Sequence, residues 1–229
     1  MRLLFCSCRL YHHIDSQALN VLAAACRAQG HEVTIIPDLC RLAAKRDGRR
    51  TASRDWIVAC HPRAVRAMFP DFPADRILNL RTGGGAEAAA ALNVTLDQKT
   101  PGGLAADEPP DQEAWIPWFP VIDRERCINC SKCLDFCMFG VYTKDSSGQV
   151  QVTSPANCKT DCPACARICP RQAVIFPKAK EEPINGAEPA TGDQPGNADD
   201  ANAAPGLLAR LKSRHAARPS PPLFKDDPQ

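Results

Sequence analysis

Eight of the thirteen cysteines fall between residues 127 and 169, and their spacing constrains this chain more than any other feature. The first group reads Cys127-x2-Cys130-x2-Cys133-x3-Cys137; the second reads Cys158-x3-Cys162-x2-Cys165-x3-Cys169, with Pro170 directly after it. Three cysteines two residues apart on a tight turn can aim their sulfurs at one centre and hold three irons of a cubane. The fourth opens a short helix, and its sulfur points away toward the other group. Zinc takes four ligands, usually as two separated pairs, so three cysteines plus a fourth, given twice, suit a cubane better. A disulfide framework would need an oxidising compartment and a secretory signal. Met1 to Leu10 has a short apolar core interrupted by Arg9 and no small-residue cleavage site, so it is not read as a signal peptide. Cysteine-rich and without an export signal, the chain is expected in the cytoplasm.

Residues 121 to 178 resemble the bacterial-type 2[4Fe–4S] ferredoxin domain, an α+β fold. In that family the fourth thiolate of each group ligates the other cluster. The resemblance therefore implies one [4Fe–4S] cluster on Cys127, Cys130, Cys133 and Cys169, and a second on Cys158, Cys162, Cys165 and Cys137. Pro120–Asp123 and Ala173–Phe176 flank the groups and are expected to pair as short strands, with Lys144–Gln149 as a hairpin turn between them. Two departures stand out: Met138 replaces the proline usual after the fourth cysteine, and Cys158 needs a slightly larger loop to reach its iron. Trp115 and Trp118, beside prolines, are expected to pack on this module and shield a cluster from water.

The first hundred residues carry a different pattern. Apolar, β-branched runs at Arg2–Cys6, His31–Pro37, Trp56–Cys60 and Arg76–Leu80 read as strands. Between them, Ser16–Gln29 repeats Leu19, Leu22, Ala23 and Cys26 at helical spacing before Gly30, and Pro62 opens a helix to Phe69. Arg41–Arg54 is basic and reads as a surface helix or loop. Alternating strands and helices predict a small α/β domain over 1–99 with a mostly parallel sheet. Cys6 and Cys8, Cys40, and Cys60 each follow a strand, so they gather at the carboxyl edge of the sheet, where ligands usually bind. His12, His13 and His61 lie nearby in sequence as substitute ligands or supporting groups, and Cys26 reads as core.

Phe5-Cys6-Ser7-Cys8, Asp38-Leu39-Cys40 and Ile57-Val58-Ala59-Cys60-His61-Pro62-Arg63 are similar to the N-terminal domain of the heterodisulfide reductase A subunit, over about residues 1 to 80. That resemblance implies a third [4Fe–4S] cluster on Cys6, Cys8, Cys40 and Cys60; the flavin-binding body of that subunit has no counterpart here. The alternative is four buried thiols acting as small apolar residues.

The remainder is connective. Gly83-Gly84-Gly85 lacks a nucleotide fingerprint and reads as a turn before an alanine-rich helix, and residues 100–120 read as a linker. Residues 179–205 are low in aliphatic side chains and predict a disordered linker, and 206–229 a tail with a short basic helix at Leu207–Arg218. With 28 basic and 26 acidic residues, the chain has no charge signature for nucleic acid, and no apolar run is long enough to cross a bilayer. No catalytic set or small-molecule site is recognisable. The expected function is a one-electron relay to or from a redox partner protein or larger oxidoreductase complex. The alternatives are a subunit of a heterodisulfide-reductase-like enzyme with thiol chemistry at the N-terminal cysteines, or a redox-sensing or scaffold module.

Overall fold

The first strand, β1 (Arg2–Cys6), is apolar on both sides: Leu3, Leu4 and Phe5 are all buried, as a central strand covered on two faces requires. Its chain continues through α1 (Ser16–Ala28) into β2 (Glu32–Ile36), which returns parallel to β1. Asp15 caps α1 by accepting from the Gln17 N–H, and Gly30 ends it at φ +79°. Two short helices, α2 (Leu39–Ala44) and α3 (Arg49–Ala52), lead to β3 (Trp56–Ala59) on the other side of β1. Helix α4 (Pro62–Met68) and a single 3-10 turn precede β4 (Ile77–Asn79), and α5 (Gly84–Ala91) follows. The sheet order is β2-β1-β3-β4, every pair parallel, so the crossover direction reverses at β1. Chain leaving β1 and β3 therefore emerges beside a topological switch point.

In the second half, β5 (Val121–Ile122) pairs antiparallel with β8 (Val174–Ile175), joining the two flanks of the cysteine region as expected. Within that frame lie α6 (Lys132–Phe136), the hairpin β6 (Tyr142–Lys144) and β7 (Val150–Val152), and α7 (Ala164–Arg167) against α6. The hairpin turn is tied by Asp145, whose Oδ1 accepts from the Ser147 and Gln149 N–H groups.

This computed structural model describes residues 1–96 and 115–189, without the side chains of residues 49 and 50. The expected linker from 100 to 114, the stretch 190–205 and the basic helix at 207–218 lie outside the described residues. The described halves belong to one unit, Met1–Asp193. Phe119, Val121 and Ile175 of the second half enter the core of the parallel sheet, and Tyr11 and Cys158 touch that core and the smaller core of the second half alike. Among the described residues no helix is long and apolar enough to cross a membrane.

Three local expectations change. The two tryptophans separate: Trp118 stacks on Phe176 in the second half, whereas Trp115 packs on the α/β core beside Phe119. Arg41 is buried rather than on the surface, donating to the Trp115 carbonyl with its guanidinium over the indole. Residues 179–189 are folded, although nearly devoid of aliphatic side chains. Ile184 is buried, and arginines of the α/β half satisfy the backbone: Arg81 donates to the Pro177 and Ala179 carbonyls, Arg63 to those of Pro183 and Ala187. Gly186, at φ +98°, lies so close to α4 that a Cβ there would meet that of Ala64 at 2.5 Å.

Candidate metal centres

The first cysteine loop winds through two left-handed residues, Asn129 and Ser131, before α6 begins. Asn129 fixes the loop to the hairpin, donating to the Gly148 carbonyl and accepting from the Val150 N–H. A small cavity there is lined by Cys127, Cys130 and Cys133 together with Cys169 from the second group. Its other walls include Ile122, Ile128, Val150 and Val174, so the thiols face an apolar space. Burial pushes the Cys133 thiol up to about 12, helped first by Cys169 and then by other cysteines including Cys127. The Cys169 sulfur accepts from the Ala173 N–H at 3.2 Å.

The second set forms at the end of α6 and the start of α7. Burial pushes Cys158 up to about 12, followed by the influence of Cys165, Cys162 and Cys137. Cys137, the last cysteine of the first group, is thus near enough to Cys158 to add to that shift. Burial also raises Cys165, to about 11, against the Tyr142 hydroxyl, which donates to its sulfur at 3.1 Å. A 3-10 turn, Pro155–Asn157, leads into Cys158, and Asp161 in the three-residue gap before Cys162 takes a left-handed backbone at φ +58°. Met138, in the place usual for proline, points to solvent at 86% exposure and takes no part in the cavity.

The four N-terminal thiols all lie in the core of the α/β half. Cys6, Cys8, Cys40 and Cys60 are all buried, at the carboxyl ends of β1, β2 and β3. Cys40 lies inside α2, whose N-cap Asp38 accepts from the Cys40 N–H at 3.0 Å. The Cys6 sulfur accepts from the Leu39 N–H at 3.3 Å, and Cys8 adopts a left-handed backbone at φ +46°. Cys60 is pushed up to about 12 by burial and by Cys8, against the pull of Arg81 and Lys178. Burial likewise raises Cys6 and Cys40 well above the ordinary thiol range.

Lys178 was not singled out by the sequence reading. It is buried, with its ammonium 2.6 Å from Asp38 Oδ2 and 5.0 Å from the Tyr11 ring centroid. Burial opposes its charge, but Cys40, Asp38 and Cys8 outweigh it and hold the ammonium above the ordinary lysine range. Cys26 provides the contrast: it is raised to about 11 by burial alone, with no thiol or cation among the causes. Unlike Cys26, these thiols lie near one another and near Lys178 and Arg81, although they share its place in the core. Among the histidines, His13 Nε2 lies 2.8 Å from the Lys178 carbonyl, His61 is buried with Nε2 unpartnered, and His12 is exposed. Arg63 leaves the thiols altogether and forms a buried ion pair with Asp123 at 2.7 Å.

Among the described residues no group of three or more His, Cys, Asp or Glu side chains is gathered as a site for a single metal ion. The cavity gathers cysteines of both groups, the arrangement expected where two cluster sites exchange their fourth ligand. These features define a dicluster iron–sulfur domain.

A family model described as a 4Fe-4S dicluster domain matches residues 119–170. An uncharacterized ferredoxin of Methanocaldococcus jannaschii is 46% identical over 66 residues, 28% of this chain but only 44% of that relative. A second uncharacterized ferredoxin of that organism is 37% identical over 71 residues, covering 28% of this chain and 91% of the relative. Pyruvate synthase subunit PorD, also from M. jannaschii, is 32% identical over 68 residues, 30% of this chain and 74% of the subunit. No solved structure matches the chain. Through this domain the chain belongs to the 4Fe-4S ferredoxin family.

Proposed function

We propose that the protein relays single electrons to or from a partner oxidoreductase. The proposed sites are Cys127, Cys130, Cys133 and Cys169 for one [4Fe–4S] cluster, and Cys158, Cys162, Cys165 and Cys137 for the second. When bound, such clusters supply reversible one-electron reduction. The observation that carries this reading is the cavity in which Cys169 joins Cys127, Cys130 and Cys133. The paired β5 and β8, the hairpin and the two short helices support a ferredoxin-like α+β arrangement over 121–178. Apolar walls restrict water, and N–H and O–H donors at Cys169 and Cys165 favour thiolates over thiols. The likeness to a pyruvate synthase subunit supports a place within a larger oxidoreductase complex. Cysteines spaced for cluster ligation rather than for disulfides support a reducing compartment such as the cytoplasm.

Cys6, Cys8, Cys40 and Cys60 form a proposed third cluster site. Tyr11 and Cys158 touch both cores, which supports a single chain of sites running from the N-terminal site through the second ferredoxin site. Thiol–disulfide catalysis at the N-terminal cysteines is the competing reading. Burial of all four thiols to within 8% exposure favours the relay, since a substrate disulfide must reach a sulfur to react.

Anaerobic purification with iron and acid-labile sulfide counts tests the assignment. Two cubanes correspond to about eight irons per chain and three to about twelve, and Cys60→Ala is expected to remove about four. A colourless or zinc-filled protein overturns the relay. An iron count unchanged by Cys60→Ala retires the third site alone.

A further inference from the structure

Lys178 follows β8 and so belongs to the ferredoxin half, yet its ammonium ends on Asp38, whose other oxygen accepts from the Cys40 N–H, next to Leu39, whose N–H meets the Cys6 sulfur. Its partner, Asp38, stands 140 residues earlier in the chain and two before Cys40. Both side chains are almost wholly removed from water, at 2% and 5% exposure. Burying such a pair costs desolvation that its mutual attraction does not always repay, and apolar replacements are often as stable. In low dielectric, however, each charge acts strongly on whatever lies beside it. What lies beside this pair is the four-thiol site.

We propose that the Lys178–Asp38 pair sets the electron affinity of the N-terminal site, so that the ferredoxin half tunes the α/β half through one buried cation. The inference rests on the third-cluster reading given above. Reduction there adds one electron, drawn from a cluster of the ferredoxin half, and makes or breaks no bond. Lys178 favours the added negative charge and Asp38 opposes it, so each moves the electron affinity in its own direction and the pair sets the balance. Arg81, which also lies near these thiols, is half-buried and binds the Pro177 and Ala179 carbonyls, so it supplies a constant background. The Lys178 backbone is held from behind by His13, and its side chain is covered by the Tyr11 ring. The ammonium is therefore fixed in place, as a charge that sets a potential must be.

The test is a charge cycle in the full chain, loaded anaerobically and titrated with dithionite and mediators while each cluster is followed by EPR. Lys178→Met is expected to move the midpoint of the N-terminal cluster to more negative potential, and Asp38→Asn to more positive. The double variant is expected to return near the starting value, Lys178→Arg to retain it, and the two ferredoxin clusters to move less. A purely structural tie between the halves predicts no opposite signs. Single variants that leave the midpoint unmoved, or move it in the same direction, overturn the proposal. Should Lys178→Met fail to load, the positive shift expected of Asp38→Asn and the retained midpoint expected of Lys178→Arg still decide it. If Cys60→Ala removes no iron, the third cluster and this inference fall together. If it removes about four and the midpoint ignores both charges, only the charge inference falls.

Discussion

Tyr142 is the residue that most directly touches a proposed ligand. Its hydroxyl donates to Cys165 at 3.1 Å in a buried setting. Burial, then the neighbouring Cys165, holds the phenol proton far above its ordinary range, so the group is a donor at any working pH. A hydrogen bond to a sulfur stabilises the reduced, more negative state more than the oxidised one. Tyr142→Phe is expected to shift the second cluster negative by tens of millivolts, a fraction of the roughly 1.5–3 kcal/mol typical of charged hydrogen bonds. Potentiometric titration checks this; an unchanged midpoint with intact iron content would rule the bond out as a determinant. The cysteine spacing located Cys165 without help, but nothing in the sequence pairs it with Tyr142, twenty-three residues upstream. Lys178 was hidden for the same reason, since proximity to Cys40 and Cys8 is a property of the folded chain alone.

The elements themselves were largely readable. β1, β2 and β3 are dense in Leu, Ile and Val, and α1 carries its apolar face at regular spacing between Asp15 and Gly30, so local chemistry and final structure agree. Disagreement appears where an element borrows partners. Residues 179–189 fold because Arg63 and Arg81 bind their carbonyls, a support invisible to any reading of that segment's composition. Arg63 holds Asp123 at the end of β5, the Gln172 carbonyl before β8, and the carbonyls of Pro183 and Ala187. Arg63→Met strands a buried carboxylate as well as those carbonyls. We expect it to cost about 3–5 kcal/mol in urea unfolding and to open 183–187 to protease. A loss below about 1 kcal/mol, the scale of an exposed pair, would show that the latch carries little.

At the scale of the molecule, the two halves behave as one body over Met1–Asp193. Phe119, Val121 and Ile175 sit in the core of the parallel sheet, and the Lys178–Asp38 and Arg63–Asp123 pairs are buried across the same junction. Cleavage at a protease site inserted between residues 100 and 114 is therefore expected to leave the halves together on size exclusion. Separation without denaturant would mean that the junction is weaker than its burial implies. The amino-acid sequence by itself determined the chemistry and the local architecture. Cysteine spacing requires no distant contact to be read, and strand and helix patterns report which faces must leave water. Tertiary structure decided how those pieces are joined: that Cys169 lines one cavity with Cys127, Cys130 and Cys133, where Lys178 and Arg63 end, and that the tail up to residue 189 belongs to the fold. Those are long-range electrostatic and hydrogen-bond pairings, and their strength depends on burial that exists only once the chain has closed on itself.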